Sequence, residues 1–184
     1  MNNDAVNYRR FLDGDNQAFA EIVKEYKDCL TLYINSYVSN IFAAEDLMEE
    51  TFFKLLTKKP KFNEKSSFKT WLYAIARNIA LDYLKSHKNT TLSIEDYENH
   101  LIEELTVEQA YLIKEQKIEL YNAIKNLSYD YRQVLFLIYF EDFSNVQVAT
   151  VMKKSRRQIE NLLYRAKTAL KKKLESEGFV YEGL

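Results

Sequence analysis

Only three glycines and one proline interrupt 184 residues. Those two residue types make most tight turns, so a chain this poor in both does not suit a turn-rich β-sandwich or barrel. It favours long helices, and the length allows one medium or two small domains with a real core. Hydrophobic residues at 47% and charged residues at 29% exclude a disordered tail. No run approaches the roughly 18 apolar residues of a membrane span, and the first twenty residues carry no signal-like apolar stretch. A cytoplasmic protein without membrane insertion is therefore expected. Cys29 is the single cysteine, which excludes an internal disulfide, and His87 and His100 lie far from any metal-ligand spacing. There is no nucleophile–base pair and no phosphate-cradling glycine loop, so no catalytic, cofactor-binding or metal residue is assigned and an enzyme is not expected.

The net charge of −1 conceals a gradient. Residues 1–85 are neutral, residues 86–115 carry −5, residues 116–142 carry −1 and residues 143–184 carry +5. The polar, acid-rich stretch SHKNTTLSIEDYENHLIEE reads as a linker. The expected architecture is all-α: two small helical domains, residues 6–86 and 116–176, joined by a flexible acidic linker, residues 87–115.

Between Lys153 and Lys173 stand nine Lys or Arg against one acid, Glu160. Ser144-Asn145-Val146-Gln147 and Ser155-Arg156-Arg157-Gln158 are both Ser-x-x-Gln capping boxes, which satisfy orphan N–H groups at a helix start. Two helices thus begin eleven residues apart, the first spanning 145–152, with only Lys153-Lys154-Ser155 between them. That is helix-turn-helix spacing. At about 100° per residue, Ile159, Leu162, Leu163, Ala166, Ala169 and Leu170 share the inner side of the second helix. Arg157, Glu160, Asn161, Tyr164, Arg165, Thr168, Lys171 and Lys172 share the outer side, which suits duplex DNA. Neutralising about six phosphates would weaken binding roughly a thousandfold between 50 and 200 mM salt.

Residues 44–57 (AEDLMEETFFKLLT) form an amphipathic helix with Leu47, Met48, Phe52 and Leu55 inward. Glu45, Asp46, Glu49 and Glu50 make an acidic outer face, with Phe53 within it and Leu56 at its edge. Apolar groups set in an anionic surface suit docking of a basic partner, although an ordinary solvated face fits equally well. Residues 68–85 (FKTWLYAIARNIALDYLK) follow a Pro60 loop, with Ser66 and Ser67 as available caps. Phe68, Leu72, Ile75, Ile79 and Tyr83 make the core stripe. Trp71, Asn78 and Lys85 line its flank, with Lys69, Thr70, Tyr73 and Arg77 elsewhere on the outer surface. Aromatic faces beside amides and cations can hold single-stranded DNA, while a core tryptophan explains Trp71 as well.

In that order, AEDLMEETFFKLL, SSFKTWLYAIARNIALDYLK and YRQVLFLIYFEDFSNVQVATVMKKSRRQIENLLYRAK resemble the landmarks of a bacterial sigma factor. The likeness is to the small two-domain, extracytoplasmic-function group of the sigma-70 family of RNA polymerase subunits. The resemblance implies a promoter-specificity subunit that directs core RNA polymerase to promoters and assists melting. It implies that Asp46, Glu49, Glu50 and Phe53 dock on the clamp helices of the largest subunit. Phe62, Lys69, Thr70, Trp71, Tyr73, Arg77, Asn78 and Lys85 would take the melted minus-ten element, with Asn78 walling a flipped-base pocket. Arg156, Arg157, Glu160, Asn161, Tyr164, Arg165 and Lys167 would read the duplex minus-thirty-five element. The polymerase flap and a separate anti-sigma protein are further implied partners, and the linker would pass near the active-site and RNA-exit channels. Catalysis would remain with the polymerase.

This sequence departs from the family pattern in its helix-turn-helix. Lys153 and Lys154 stand where the family usually has glycine and an apolar residue, so a strained or differently shaped turn is expected. Leu162 and Glu160 replace a polar residue and a frequent cation. The competing reading is an autonomous helix-turn-helix regulator, which would need neither the flank of Trp71 nor the acids around Asp46. A helical adaptor that sequesters a protein would leave the basic helix unexplained.

Overall fold

The computed structural model describes residues 3–88 and 115–176, and all regular structure among them is helical. The chain divides into two compact units, Met1–Glu103 and Glu104–Leu184. The acidic linker reading falls almost wholly on residues outside those described.

The first unit holds α1 (Asn3–Leu12), α2 (Asn16–Val38), α3 (Ile41–Lys58) and α4 (Phe68–Lys88). Gly14, at φ 104°, lets the chain reverse between α1 and α2. Asp15 then caps α2, its carboxylate accepting from the Gln17 and Ala18 amides at 3.0 and 3.2 Å. The Arg10 guanidinium donates to the same carboxylate at 2.7 Å and holds its pKa below the usual value. Along α2, Ala18, Ile22, Tyr26, Leu30, Tyr33, Ile34 and Tyr37 are buried at three- and four-residue intervals, and all three other helices pack on it. Ser39 ends α2 in the left-handed region, and Asn40 caps α3 through the Ala43 amide at 3.0 Å. Lys59, also left-handed, ends α3 immediately before Pro60, which cannot continue a helix. The loop that follows is tied down by the Tyr8 hydroxyl, which donates to the Pro60 carbonyl at 2.8 Å. Ser67 caps α4 by accepting from the Thr70 amide at 3.2 Å.

The second unit holds α5 (Glu115–Lys125), α6 (Tyr129–Tyr139), α7 (Asn145–Met152) and α8 (Arg156–Ser176). Phe136 and Phe140 stack at 4.9 Å, with the Tyr121 ring edge-on to both. Both expected capping boxes are present. Gln147 accepts from the Ser144 amide at 2.9 Å and donates its own amide to the Ser144 hydroxyl, while Gln158 and Ser155 do the same at 2.7 and 3.2 Å. An eight-residue helix such as α7 is not stable by itself, so packing must hold it. Val148, Val151 and Met152 are buried on α7, as are Ile159, Leu162 and Ala166 on α8, and the two helices are in contact. Each large side chain so buried contributes roughly 1.5 to 3 kcal/mol.

The turn between α7 and α8 has the expected strain. Lys153 adopts φ 54°, ψ 43°, a conformation that costs an L-residue with a Cβ about 1 kcal/mol. The next lysine compensates: Lys154 donates its amide to the Ala149 carbonyl at 3.1 Å and pairs with Asp130 at the start of α6 at 3.2 Å. Leu162 is only 9% exposed. Its departure from the family pattern therefore concerns the seam of the motif and leaves the outer face of α8 unaltered.

Candidate nucleic-acid and protein-docking surfaces

The outer side of α3 combines charge with bare apolar surface. Glu45, Asp46, Glu49 and Glu50 are exposed, Phe53 is 64% exposed, and Leu56 is exposed beside it. Between α2 and α3 runs an open groove of about 670 Å³, with Val23 and Lys27 on one wall and Met48, Phe53 and Leu56 on the other. Met48, expected inward with Leu47, is instead half-buried, because it lines this groove. The α2 wall was not foreseen, since nothing in residues 44–57 says which neighbour meets them. Phe42, 71% exposed at the start of α3, was also missed. Such a ring beside the acidic row was recognisable only once the helix was known to begin at Ile41.

Around the start of α4 four aromatic rings gather. Trp71 is half-buried with its ring centroid 5.2 Å from Tyr8, 5.2 Å from Phe62 and 5.5 Å from Phe68. Phe62 and Trp71, far apart in the loop and helix readings, thus form one contact pair. Burial pushes the Tyr8 phenol up to about 12, so at neutral pH it stays protonated and remains the donor to Pro60.

Two expected surface residues of α4 are core residues. Thr70 and Tyr73 are fully buried and cannot meet a nucleic acid. The reason is that α1, α2 and α3 all pack on α4, so its buried arc is far wider than one stripe. Thr70 shares a hydroxyl hydrogen bond with Ser67 at 2.7 Å, and the Tyr73 ring lies 4.9 Å from Tyr33. Ala76 and Ala80 are buried with them, whereas Ile75 and Tyr83, placed in the core stripe, are half-buried. Lys69 is half-buried with its ammonium 5.7 Å from the Tyr73 ring, about 160° around the helix from Trp71. Arg77 is half-buried and interacts with the Tyr37 hydroxyl, opposing the strong upward push that burial gives that phenol. Asn78 and Lys85 do lie on the Trp71 side. Asn78 is half-buried, and Lys85 is exposed and paired with Asp82 at 3.3 Å.

On α8 the sequence reading and the structure agree more closely. Arg156, Arg157, Glu160, Asn161 and Arg165 are exposed, and Tyr164 is 74% exposed. Lys167 is the exception. It is half-buried with its ammonium 5.7 Å from the Tyr139 ring of α6, because its long apolar stem covers the seam between the helices. Arg156 donates Nε–H to Glu160 Oε1 at 2.8 Å. The remaining outer face is cationic and amide-bearing, which suits phosphates and base edges. Among the described residues, no helix is long and apolar enough to cross a membrane and no group of side chains could hold a metal ion.

Sigma-70 region 2 matches residues 22–90, and sigma-70 region 4 matches residues 117–170. The chain is 30% identical over 171 residues to the RNA polymerase sigma-H factor of Pseudomonas aeruginosa, covering 88% of this chain and 89% of that one. It is 27% identical over 170 residues to the ECF RNA polymerase sigma factor SigW of Bacillus subtilis, covering 88% and 91%. Among solved structures, the sigma factor RpoE in complex with the anti-sigma factor NepR from Bartonella quintana has the same fold. The TM-score is 0.68 at 24% identity, over 85% of this chain and 96% of that one.

Proposed function

Because this chain belongs to the sigma-70 family of RNA polymerase sigma factors, in its extracytoplasmic-function group, we propose that it binds core RNA polymerase, directs it to specific promoters and assists their melting. It acts in the cytoplasm and supplies no catalysis of its own, and an anti-sigma protein is its proposed means of control. The domain limits that go with this role are residues 6–86 for polymerase docking and the minus-ten element and 116–176 for the minus-thirty-five element.

The observation that carries the reading is the pairing of two unlike surfaces in one chain. The exposed acids of α3 around Phe53 suit the clamp helices, with Asp46, Glu49 and Glu50 supplying charge and Phe53 the apolar anchor. The exposed face of α8 suits a duplex, with Arg156, Arg157, Glu160, Asn161, Tyr164 and Arg165 within reach of a major groove. Phe62, Trp71, Asn78 and Lys85 take the unpaired strand. Trp71 and Phe62 offer ring faces worth about 1 to 3 kcal/mol per stacked base. Arg77 and Lys69 lie on other sides of α4, against Tyr37 and Tyr73, and add positive charge to this unit without belonging to the Trp71 surface. An autonomous regulator would account for α8 and leave the α3 groove without a use.

Run-off transcription with purified core polymerase and a genomic promoter library tests the proposal. Promoter-dependent transcripts on adding the chain are expected. Their absence, with tight duplex binding by the chain alone, would establish the autonomous regulator instead. Asp46→Arg should weaken core binding by about tenfold without changing thermal stability, since it reverses one charge in an interface of complementary sign.

A further inference from the structure

Glu160 is the one acid between Lys153 and Lys173, and it stands on the outer side of α8. A carboxylate there is repelled by every nearby phosphate, so a face built for general attraction to DNA would exclude it. Folding does not account for it either, because an exposed ion pair one helical turn apart adds little stability. The two side chains nonetheless meet. Glu160 Oε1 accepts from Arg156 Nε at 2.8 Å, both side chains are exposed, and both belong to the first turns of α8, the part of a recognition helix that reaches base edges.

That hydrogen bond has a chemical consequence. The Arg156 Nε–H is committed to the carboxylate, which orients the planar guanidinium and leaves the N–H groups of its two terminal nitrogens as a donor fork. The second oxygen of Glu160 remains an acceptor beside that fork. In the major groove a G·C pair presents two acceptors, guanine N7 and O6, and then a donor, the amino group on cytosine C4. An A·T pair alternates acceptor, donor and acceptor before the thymine methyl group, and no adjacent donor pair and acceptor can match it.

Building on the proposed role of α8, we infer that Arg156 and Glu160 form one reading unit that selects a G·C pair in the upstream promoter element. Arg156 donates to guanine N7 and O6, and Glu160 accepts from the cytosine amino group. Glu160 is thereby also a positioning residue for Arg156.

The test uses the full chain with core polymerase on a promoter library randomised across the upstream element, with transcripts sequenced for the unchanged chain, Glu160→Ala and Arg156→Lys. The unchanged chain should prefer G·C at one position by about tenfold or more. Glu160→Ala should cut that preference about fivefold at that position and nowhere else. Arg156→Lys, which keeps the charge and removes the fork, should reduce it at the same position. Transcripts that rise evenly across all sequences in Glu160→Ala, with an unchanged preference profile, would show Glu160 to be only a repulsive charge and overturn the inference. So would a Glu160-dependent position that favours A·T. Promoter-dependent transcripts from the unchanged chain report on the proposed function separately from these differences.

Discussion

Helices α4 and α8 are each 21 residues long, and their sequences place them on opposite sides of a packing problem. On α8 one side is buried against α6 and α7 while the other is open to solvent. On α4 no residue from Phe68 to Leu81 is fully exposed, because α1, α2 and α3 all pack against it. The two nucleic-acid surfaces proposed for this chain therefore differ in kind. One is a free helix face carrying charges, and the other is a narrow aromatic margin on a helix otherwise given over to the core.

The contrast breaks first at Tyr73. If α4 is core at that position, Tyr73→Ala should destabilise the first unit by about 3 to 5 kcal/mol in urea denaturation, whereas a surface tyrosine would leave it unmoved. At the open face of α8 the expectation reverses. Arg157→Ala should leave the melting temperature in place, weaken duplex binding by roughly tenfold, and lower the slope of log affinity against log salt by about 1. Ser67→Ala sharpens the account of how α4 begins. Loss of its cap to the Thr70 amide should lower stability by about 1 kcal/mol, read by the same denaturation. The smallest effect is a gain. Lys153→Gly relieves the left-handed turn and should raise the stability of the second unit by about 0.5 to 1 kcal/mol, with a small loss in DNA affinity from the missing charge.

How legible each region was in the sequence follows from the same difference. The starts of α7 and α8 were readable to the residue because their signals are local. Ser144 with Gln147 and Ser155 with Gln158 close their hydrogen bonds within four residues, whatever the rest of the chain does. Helix α4 was located correctly, yet Thr70 and Tyr73 were misplaced. Threonine and tyrosine have polar tips that periodicity counts as surface, while here those side chains lie inside the unit. The chain has 14 tyrosines, and Tyr8, Tyr26, Tyr33, Tyr37 and Tyr73 all belong to the first core. Lys167 was misplaced for the converse reason, as its charge said surface while its stem lies along α6. The groove between α2 and α3 was beyond reading from either helix, since it exists only in how they meet.

The cluster at the start of α4 holds the chain's single tryptophan. Trp71 rests on Tyr8, a fully buried ring of the N-terminal helix, and is flanked by Phe62 from a loop. A base stacked on this cluster would change the neighbours of the indole and the water around it, and a nucleobase in contact with indole quenches its emission. In the proposed role, the emission of this one fluorophore would register the arrival of an unpaired strand, so the molecule would carry its own unlabelled sensor for that step.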